Sequence, residues 1–370
     1  MQITKPTKIL IATPLYPPDI GGPATYTKLL EDSLPISGVE VLVVSFTGSR
    51  FLPKGLSHLH FFTKTIWMMR SVDVVLAQDT VSVGLPTLCA AKLLRKKCIV
   101  RVPGDYAWEQ SVQRFGVTET IDDFQARTYG RRVEFLRRLQ KWVTQNADAI
   151  IAPSNYFKGI ISTWGVATEK IHTIYNGVSV PPVSEDMSST SSYRGRTMVT
   201  AGRLVPWKGI AMLISILDFL PTYRLIIVGE GPMQKKLEEQ VVNQGVQDRV
   251  VFTGSLPRAE LLQWCVEADV FVLNTHFESF SFQIVEAMLV GAKIITTSVG
   301  SIPELITNGA EGVLLSPDDQ QSFIDTILTL ETHPDMWKDR AQQAQTKAAQ
   351  FSVQNTTDGV VSLVTKLLYH

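Results

Sequence analysis

The sequence contains little cysteine and no long apolar run. Its 370 residues include three cysteines, Cys89, Cys98 and Cys265, with no CxxC pair and no spacing typical of metal ligands. This scarcity excludes a disulfide framework and favours buried thiols in a reducing compartment. The uncharged segments, among them residues 80–91, are all shorter than the roughly 20 residues that a membrane-spanning helix needs. We therefore expect a soluble, cytoplasmic globular protein without a signal peptide.

Motifs that hold metal ions are also missing from the sequence. No Asp-x-Asp occurs in the chain, and the six histidines are scattered without a cluster. We therefore expect no metal requirement and no cofactor.

Net charge is zero, but it is unevenly distributed. Residues 1–183 hold 21 Lys and Arg against 14 Asp and Glu, and the remainder holds the reverse. A basic first half predicts an anionic partner. The chain has no recognised motif of a nucleic-acid reader, and an anionic lipid or a phosphorylated acceptor fits this charge as well.

Predicted strands and helices alternate along both halves of the chain. Apolar, β-branched runs are typical of central strands in a parallel sheet that is covered on both faces. The first series of predicted strands occupies residues 8–17, 40–46, 73–79, 97–104 and 148–154. The second occupies residues 197–204, 223–231, 249–254, 269–275 and 292–298. Helices are predicted between them, notably at residues 26–34, 85–94 and 120–147.

The segment PPVSEDMSSTSSYRGR, residues 181–196, separates the two series. It is rich in Pro and Ser and has almost no apolar content, so it predicts a linker. We place a first domain at residues 1–183, the linker at 184–196 and a second domain at 197–352. The predicted fold class is α/β, with two Rossmann-like doubly wound domains that face each other across a cleft. Ligands in such folds bind at the carboxyl ends of the strands.

Two loops after predicted strands carry residues suited to an anion. Gly21 and Gly22 follow the first strand, where glycine lets the backbone approach a ligand and the next helix N-terminus favours negative charge. An ordinary strand-to-helix turn is the alternative. In AGRLVPWKGI, residues 201–210, Arg203 and Lys208 follow another strand, and both side chains suit phosphate oxygens. A solvated surface pair is the alternative there.

The segment HFESFSFQIVEAM, residues 276–288, holds two carboxylates in apolar surroundings. Glu278 precedes a helix that Ser281 is predicted to cap, and free N–H groups near Ser281 and Phe282 can hold a phosphate. Helix geometry separates Glu278 from Glu286 by about 12 Å, too far for a closely spaced acid–base pair. Glu286 needs hydrogen-bond donors, which ligand hydroxyls could supply. Exposure of Glu286 beside Gln283 on a polar helix face is the alternative.

These features together resemble the large retaining glycosyltransferase family 4, of GT-B fold. The resemblance rests on the E-x7-E of Glu278 and Glu286, the G-R…K of Gly202, Arg203 and Lys208, and the double glycine at residues 21 and 22. The segments IYNGV, VGEGP, FTGSL, EADVFV and SVGSIPELI, between residues 174 and 306, also stand where that family has them. Each motif alone is weak, whereas the combination covers nearly the whole chain.

The resemblance implies a UDP- or GDP-sugar donor that is bound mainly by the second domain. It implies transfer of a hexose or N-acetylhexosamine to a hydroxyl acceptor, such as a glycan or a lipid-linked acceptor, in polysaccharide, lipopolysaccharide or glycolipid synthesis. Arg203 and Lys208 would neutralise the diphosphate leaving group, without a metal. Glu286 would hold the ribose hydroxyls, and Glu278 the hydroxyls of the donor sugar.

The resemblance also implies further contacts and one feature of the fold. The loop at residues 253–256 would border the base, and the final helix, at residues 353–370, would pack back on the first domain. The remaining predicted donor-binding residues are Gly21, Gly22, Gly202, Gly254, Leu256, Ser281 and Phe282.

One loop departs from the family pattern. Members often place a histidine against the donor sugar in the loop that here is RVPGDYAWE, residues 101–109, and this loop has none. Asp105 is the nearest polar substitute, so we add it to Glu278, Arg203 and Lys208 as a candidate catalytic residue. An aspartate in a turn at the end of a strand is the alternative.

A basic amphipathic helix is predicted at Arg131–Val143. Its apolar face would consist of Phe135, Leu136, Leu139, Trp142 and Val143. This pattern favours a helix that is packed on its own sheet and has a solvated basic face. The alternative is docking to an anionic membrane surface, which would make the protein peripheral at the inner face of the membrane.

Two other function classes stay open at the level of sequence. A nucleotide-sugar 2-epimerase would require clustered carboxylates and a histidine, which the chain does not obviously supply. A nucleotide-sugar-binding protein without catalysis is supported by the missing histidine in the loop at residues 101–109. The sequence does not identify the base, the sugar, the acceptor or the oligomeric state.

Overall fold

The computed structural model describes residues 6–19, 21–53, 55–180 and 195–369. Contacts within the chain define two compact units, one of Met1–Gly177 with Ser352–His370 and the other of Val178–Phe351. The predicted linker at residues 184–196 lies outside the described residues, except for its last two positions. In the described part of the chain, none of the helices combines the length and the apolar character of a membrane span.

Within the described residues, the first unit is built on a six-stranded parallel sheet. The strands are β1 (Thr7–Thr13), β2 (Val39–Ser45), β3 (Val74–Ala77), β4 (Lys97–Arg101), β5 (Ala149–Ala152) and β6 (Ile171–Thr173). They stand in the order β2-β1-β3-β4-β5-β6, and every neighbouring pair is parallel. The helices are α1 (Gly22–Ser33), α2 (Leu56–Met69), α3 (Gly84–Leu94), α4 (Tyr106–Arg114), α5 (Ile121–Ala126), α6 (Arg131–Asn146) and α7 (Asn155–Ser162).

The second unit has a sheet of the same kind. Its strands are β7 (Arg196–Ala201), β8 (Tyr223–Val228), β9 (Val250–Gly254), β10 (Val270–Leu273), β11 (Ile294–Thr297) and β12 (Val313–Leu315), in the sheet order β12-β11-β10-β7-β8-β9. The helices are α8 (Ile210–Ser215), α9 (Gln234–Gln244), α10 (Arg258–Glu267), α11 (Phe282–Leu289), α12 (Ile302–Leu305), α13 (Gln320–Thr332) and α14 (Pro334–Ala348). The predicted α/β class with two doubly wound parallel sheets is confirmed.

All ten predicted strands are present, and the apolar runs of the central ones are buried within the two sheets. Every residue of β3, β5, β10 and β11 is buried. The sheets also contain β6 and β12, which the sequence analysis did not predict. Each has three residues and stands at a sheet edge, where one side lacks a neighbouring strand and the hydrophobic signal is short.

The last helix of the described residues, α15 (Val353–Tyr369), packs on the first unit. Val360, Leu363 and Val364 belong to the same hydrophobic core as residues of β1, β3 and α1. Thr357 Oγ1 donates a hydrogen bond to Ser33 Oγ at 2.8 Å, and Thr356 Oγ1 donates to a backbone carbonyl at residue 175 at 2.7 Å. The first unit therefore combines residues from both ends of the chain.

The predicted single helix at residues 120–147 is wrong, because the chain forms α5 and α6 with a break between them. The Arg137 guanidinium donates hydrogen bonds to the carbonyls of Gln125 and Arg127, at 3.0 and 2.7 Å. The carboxylate of Glu134 accepts from Tyr129 N at 3.1 Å. These side chains satisfy backbone groups that a helix end leaves without intrahelical partners, so the break is stable.

The predicted apolar packing face of α6 is also wrong, except at Val143, which is buried. Phe135 and Trp142 are 64% and 42% exposed, and Leu136 and Leu139 are only half-buried. The buried residues of the helix are Val133, Arg137, Gln140, Val143 and Thr144. The helix can bury this mixed face because Arg137 and Gln140 find hydrogen-bond partners inside the unit.

Candidate active site

Loops of the second unit follow the carboxyl ends of β10, β7, β8 and β9, which are neighbours in this order. In the same order, these loops comprise residues 274–281, 202–209, 229–233 and 255–257. Open α/β sheets bind ligands outside this edge. The residues predicted from the second half of the sequence all lie in these loops, at the last position of β9 or in α11.

The turn that ends at Lys208 is fastened to the residues after β10. His276 N donates to Trp207 O at 2.7 Å, and Asn274 Nδ2 donates to Gly209 O at 3.0 Å. Gly209 has φ +54°, and a Cβ there would lie 2.2 Å from Asn274 O. Only glycine fits so close to another backbone. The position of Lys208 is therefore set by contacts on both sides of the turn.

Lys208 and Glu278 form a buried ion pair in which Nζ contacts Oε1. The two residues are 9% and 7% exposed. Burial of either charge alone would be costly, and in the pair each charge compensates the other. The sequence analysis placed both residues at the site but missed this contact, which joins positions 70 residues apart. The pair presents one cation and one anion at a single point, which suits a ligand that carries phosphate and hydroxyl groups close together.

The backbone of Glu278 is held by the loop that follows β11. Ser301 N donates to Glu278 O at 2.9 Å. Gly300 has φ +56°, and a Cβ there would lie 2.3 Å from the same carbonyl oxygen. The two loops therefore pack backbone against backbone. This packing restricts the positions that the Glu278 carboxylate can take.

Glu286 is 8% exposed, so the alternative of an exposed polar face is wrong. Its Oε1 lies 2.9 Å from Nε of Arg258, the first residue of α10. Burial raises the pKa of the Glu286 carboxyl, and the charge of Arg258 opposes this rise. The sequence analysis did not single out Arg258. The sequence feature that could have identified it is its position in the segment SLPRAE, which follows the strand β9.

The Arg258 guanidinium is only partly satisfied. Nη2 is buried and has no hydrogen-bond partner among the residues that the structure describes. Buried polar groups are usually paired. Arg258 and Glu286 together therefore offer an unused donor and a carboxylate to a polar ligand.

Ser281 caps α11 as predicted. Its Oγ accepts a hydrogen bond from Ile284 N at 3.4 Å, and the helix begins at Phe282. The N–H groups in the first turn of a helix have no partners within the helix. An anion could bind them three residues after Glu278.

Gly202 packs against the Lys208 side chain, and Arg203 is the next residue. A Cβ at Gly202 would lie 3.5 Å from Lys208 Cε, an ordinary packing distance. The Arg203 side chain is exposed. The structure therefore brings Lys208 and Glu278 into contact and leaves Arg203 facing solvent.

The loop after β9 carries the remaining predicted residues of the second unit. Gly254 has φ +68°, and its carbonyl accepts a hydrogen bond from Gly229 N at 2.8 Å. Ser255 N donates to the carboxylate of Glu230 at 3.3 Å. Leu256, the next residue, is half-buried. These contacts tie the VGEGP and FTGSL segments to each other at the sheet edge.

Gly21, Gly22 and Asp105 lie in the first unit. Gly21, with φ +154°, is the N-cap of α1, and Gly22 is the first residue of that helix. A Cβ at Gly21 would lie 2.9 Å from Leu15 Cδ1. The leucine methyl could move aside, whereas the positive φ strains any residue with a side chain, and this is sufficient to explain a glycine at position 21.

Asp105 is buried and is the N-cap of α4. Its Oδ1 accepts hydrogen bonds from Trp108 N and Gln140 Nε2, each at 3.0 Å, and its Oδ2 accepts from Gln125 Nε2 at 2.9 Å. Both carboxylate oxygens are thus used within the first unit. The geometry favours the structural alternative, a capping aspartate, and gives no support to the catalytic role predicted for Asp105.

No group of three or more His, Cys, Asp and Glu side chains in the described ranges is placed to hold a metal ion. His276, beside the buried pair in sequence, has Nε2 3.0 Å from Asp318 Oδ2. Asp318 in turn accepts a hydrogen bond from Asn274 Nδ2 at 2.7 Å. These three side chains form a polar network, and Asn274 joins it to Gly209, the residue after Lys208.

The sequence matches two family models that together take in most of the chain. Residues 20–180 match Glycosyltransferase Family 4, and residues 185–349 match Glycosyl transferases group 1. An uncharacterized glycosyltransferase of Methanocaldococcus jannaschii is 26% identical in an alignment of length 361, and the match covers 87% of this chain and 89% of that protein.

Two further similarities concern proteins with named ligands. The D-inositol 3-phosphate glycosyltransferase of Xylanimonas cellulosilytica is 26% identical over 206 residues. That match covers 51% of this chain and 49% of the relative, so the chain spans about half the length of that enzyme. The crystal structure of Anabaena HepE with UDP and glucose superposes with a TM-score of 0.78 at 21% identity, over 97% of this chain and 99% of that one.

Proposed function

Because the chain belongs to glycosyltransferase family 4 and has that family's GT-B fold, we propose that it is a retaining enzyme with a UDP- or GDP-sugar donor. It would transfer a hexose or an N-acetylhexosamine to a hydroxyl group of a glycan or a lipid-linked acceptor. The observation that carries this proposal is the buried pair of Lys208 and Glu278, three residues before the N-cap of α11.

The buried pair explains how one point of the protein could serve both halves of a sugar diphosphate. When a diphosphate approaches, the Lys208 ammonium can donate to its oxygens as well as to Glu278. The Glu278 carboxylate then has lone pairs for hydroxyls of the donor sugar. Because both side chains are buried, their electrostatic interaction with a ligand is stronger than it would be in water.

Stabilisation of the leaving group is the main task of the chemical step. When the bond between the anomeric carbon and the diphosphate breaks, negative charge develops on the phosphate oxygens. Lys208, Arg203 and the first turn of α11 can each stabilise that charge. These groups would do so without a metal ion, so we expect activity to persist in EDTA.

The nucleoside would lie toward α10 and α11. The Glu286 carboxylate accepts hydrogen bonds from ribose hydroxyls in this proposal, and the free Nη2 of Arg258 donates to an oxygen of the same ligand. The complex of HepE with UDP is in line with a uridine base, and guanosine is the second base that we propose to test.

We propose that the first unit docks on a membrane surface, at its cytoplasmic face. On α6 the exposed side chains of Phe135 and Trp142 accompany Arg131, Arg132 and Arg138, which are also exposed. Aromatic and cationic side chains on one helix suit an anionic bilayer surface. We therefore propose that the acceptor belongs to polysaccharide, lipopolysaccharide or glycolipid synthesis. Trp142→Ser should weaken sedimentation with anionic vesicles and leave sedimentation with neutral vesicles unchanged.

The decisive experiment is a donor screen with the purified protein. UDP- and GDP-linked hexoses and N-acetylhexosamines are supplied with and without simple glycosides and lipid-linked acceptors, and nucleotide release and product anomer are measured. Retention of the donor's anomeric configuration is expected, and Lys208→Met should lower nucleotide release by about 10²–10³-fold. An inverted product would refute the retaining mechanism. An epimerised free donor, or nucleotide binding with no turnover under any acceptor, would refute the transferase proposal.

A further inference from the structure

Asp318, in the loop between β12 and α13, has a backbone conformation that residues with side chains rarely adopt. Its φ is +59°, in the left-handed region. Among the described residues, the other non-glycine residue with a positive φ is Arg95, which ends α3, a place where this conformation is common. Burial does not impose the conformation of Asp318, because its side chain is 53% exposed. Since such strain persists only where the surroundings hold it, the cause lies in the contacts of Asp318.

The Asp318 carboxylate is held from two sides. Oδ1 accepts a hydrogen bond from Asn274 Nδ2 at 2.7 Å, and Oδ2 lies 3.0 Å from His276 Nε2. The backbone N–H of Asp318 donates to Asn274 Oδ1 at 3.0 Å. Asn274 is fully buried. In its left-handed conformation, Asp318 therefore presents a donor and an acceptor to the same buried amide.

These contacts decide which end of the Asn274 amide faces the turn of residues 206–209, which we call the lysine turn because it contains Lys208. Asn274 Nδ2 donates to Gly209 O at 3.0 Å as well as to the Asp318 carboxylate. In the reversed orientation, the amide oxygen would face two acceptors and the amide nitrogen would face the N–H of Asp318. Three hydrogen bonds would then be lost. Asp318 therefore stabilises the orientation in which Asn274 binds the lysine turn.

Both partners of the Asp318 carboxylate touch the lysine turn. A Cβ at Gly209 would lie 2.4 Å from Asn274 Nδ2, so the turn packs directly on the amide. The backbone N–H of His276 donates to Trp207 O at 2.7 Å. Because these contacts are close, a change in the Asn274 amide or in the His276 segment displaces the lysine turn.

We propose that Asp318 is a positioning residue for Lys208 and that it acts through Asn274. Asp318 orients the Asn274 amide, the amide holds the lysine turn, and the turn places the Lys208 ammonium against Glu278 and the diphosphate of the donor. Asp318 itself does not contact the donor in this proposal. The inference rests on the proposed transferase function, to which it adds a residue from the loop after β12.

The first test compares Asp318→Gly with Asp318→Asn in the full chain. Glycine adopts a positive φ without strain but has no carboxylate to hold Asn274. In Asp318→Gly, kcat per folded molecule should therefore fall about tenfold or more, with a smaller change in the KM of the donor, because Lys208 acts mainly on the transition state. Asparagine tolerates the same φ, and its Oδ1 can accept from Asn274 Nδ2, so Asp318→Asn should keep most of the activity.

Two control variants separate positioning from other effects. Arg95→Gly removes the strain of the other left-handed residue, and Asp319→Asn removes the neighbouring carboxylate, which caps α13. Both should leave kcat unchanged. A lower Tm of Asp318→Gly with unchanged kcat per folded molecule would show a purely structural role and overturn the inference. Equal losses of kcat in Asp318→Gly and Asp318→Asn would overturn it too, because they would assign the effect to the charge of Asp318.

The route through Asn274 is tested by a double variant. Asp318→Gly/Asn274→Ser should lose no more kcat than Asn274→Ser alone, because two residues that act through one contact are not additive. Losses that multiply would show that Asp318 acts by another route and would overturn the inference. If Asn274→Ser does not fold, the variants of Asp318 decide the question by themselves.

Hydrogen exchange in the lysine turn tests the inference without an activity assay. The amides of Lys208 and Gly209 donate to Val205 O and Pro206 O, at 3.1 and 3.3 Å. Their exchange should be faster in Asp318→Gly than in the unchanged protein, and unaltered in Asp318→Asn and Arg95→Gly. Unaltered exchange in Asp318→Gly refutes the positioning role alone. Faster exchange, in a chain that turns over no UDP- or GDP-sugar, supports the positioning of the turn and refutes the proposed function instead.

Discussion

Replacement of Lys208 by methionine removes the cation of the buried pair and keeps a side chain of similar length. Glu278, which is 7% exposed, then retains a carboxylate without its partner. Breaking a buried ion pair from one side costs about 3–5 kcal/mol. Solvent screening reduces this figure little, because both residues are more than nine-tenths buried. Since a domain of this size loses about 2–4 °C per kcal/mol, we expect Tm to fall by roughly 6–20 °C.

A double-mutant cycle separates stability from catalysis. Lys208→Met/Glu278→Gln removes both charges and should recover most of the lost stability, because no unpaired charge remains. In both variants kcat should be lower than in the unchanged protein by about 10²–10³-fold, because the main cation that contacts the donor is missing. Lys235→Met is the matched control: this lysine has an exposed side chain near Glu239, and its loss should cost under about 1 kcal/mol.

The measurements are Tm by calorimetry and nucleotide release under saturating donor. A Tm of Lys208→Met equal to that of the Lys235→Met control would refute the reasoning that the pair is buried and mutually stabilising. Full activity in Lys208→Met would instead refute the assignment of the diphosphate to this lysine. The Tm result and the activity result are independent. The double variant separates them, because it shows the activity without Lys208 when no unpaired buried charge lowers the stability.

Three further predictions concern other parts of the protein. Burial raises the pKa of the Glu286 carboxyl above its ordinary 4.5, so between pH 4.5 and this raised pKa the folded chain holds a proton that the unfolded chain has lost, and stability falls as pH rises through that window. In Glu286→Gln this fall of Tm with pH should be smaller, and equal slopes would contradict the prediction. Asp105→Asn should lower stability by about 1–3 kcal/mol with kcat per folded molecule unchanged, whereas lost kcat at an unchanged Tm would support a catalytic Asp105. UDP or GDP at a hundredfold excess over Kd should add about 2.7 kcal/mol to the free energy of unfolding in a thermal-shift titration, and ADP at the same concentration should add less.

Sequence patterns predicted every central strand of both sheets and the longer edge strands β2 and β9, but missed the short edge strands β6 and β12. The central strands are apolar at nearly every position because helices cover both faces, and a run of that kind is visible in one sequence. The strands β6 (IHT) and β12 (VLL) each have three residues and pair with only one neighbouring strand. Such short segments carry too few apolar residues for a pattern to emerge.

Side-chain partners were harder to predict than elements. Lys208 and Glu278 meet because β7 and β10 are neighbours in the sheet, and strand order is not visible in the spacing of residues. On α6 the expectation that aromatic residues face inward failed. The helix instead buries Arg137 and Gln140, whose partners come from other segments of the first unit.

The position of α15 has a consequence for the order in which the protein can fold during synthesis. Val360, Leu363 and Val364 complete a core whose other residues belong to the first half of the chain. A ribosome must therefore produce all of Val178–Phe351 before the first unit can close its core. The unit that is translated first is finished last. Until then the surface that α15 covers, around Leu30 and Leu34 in α1 and just after it, stays open to water or to a chaperone.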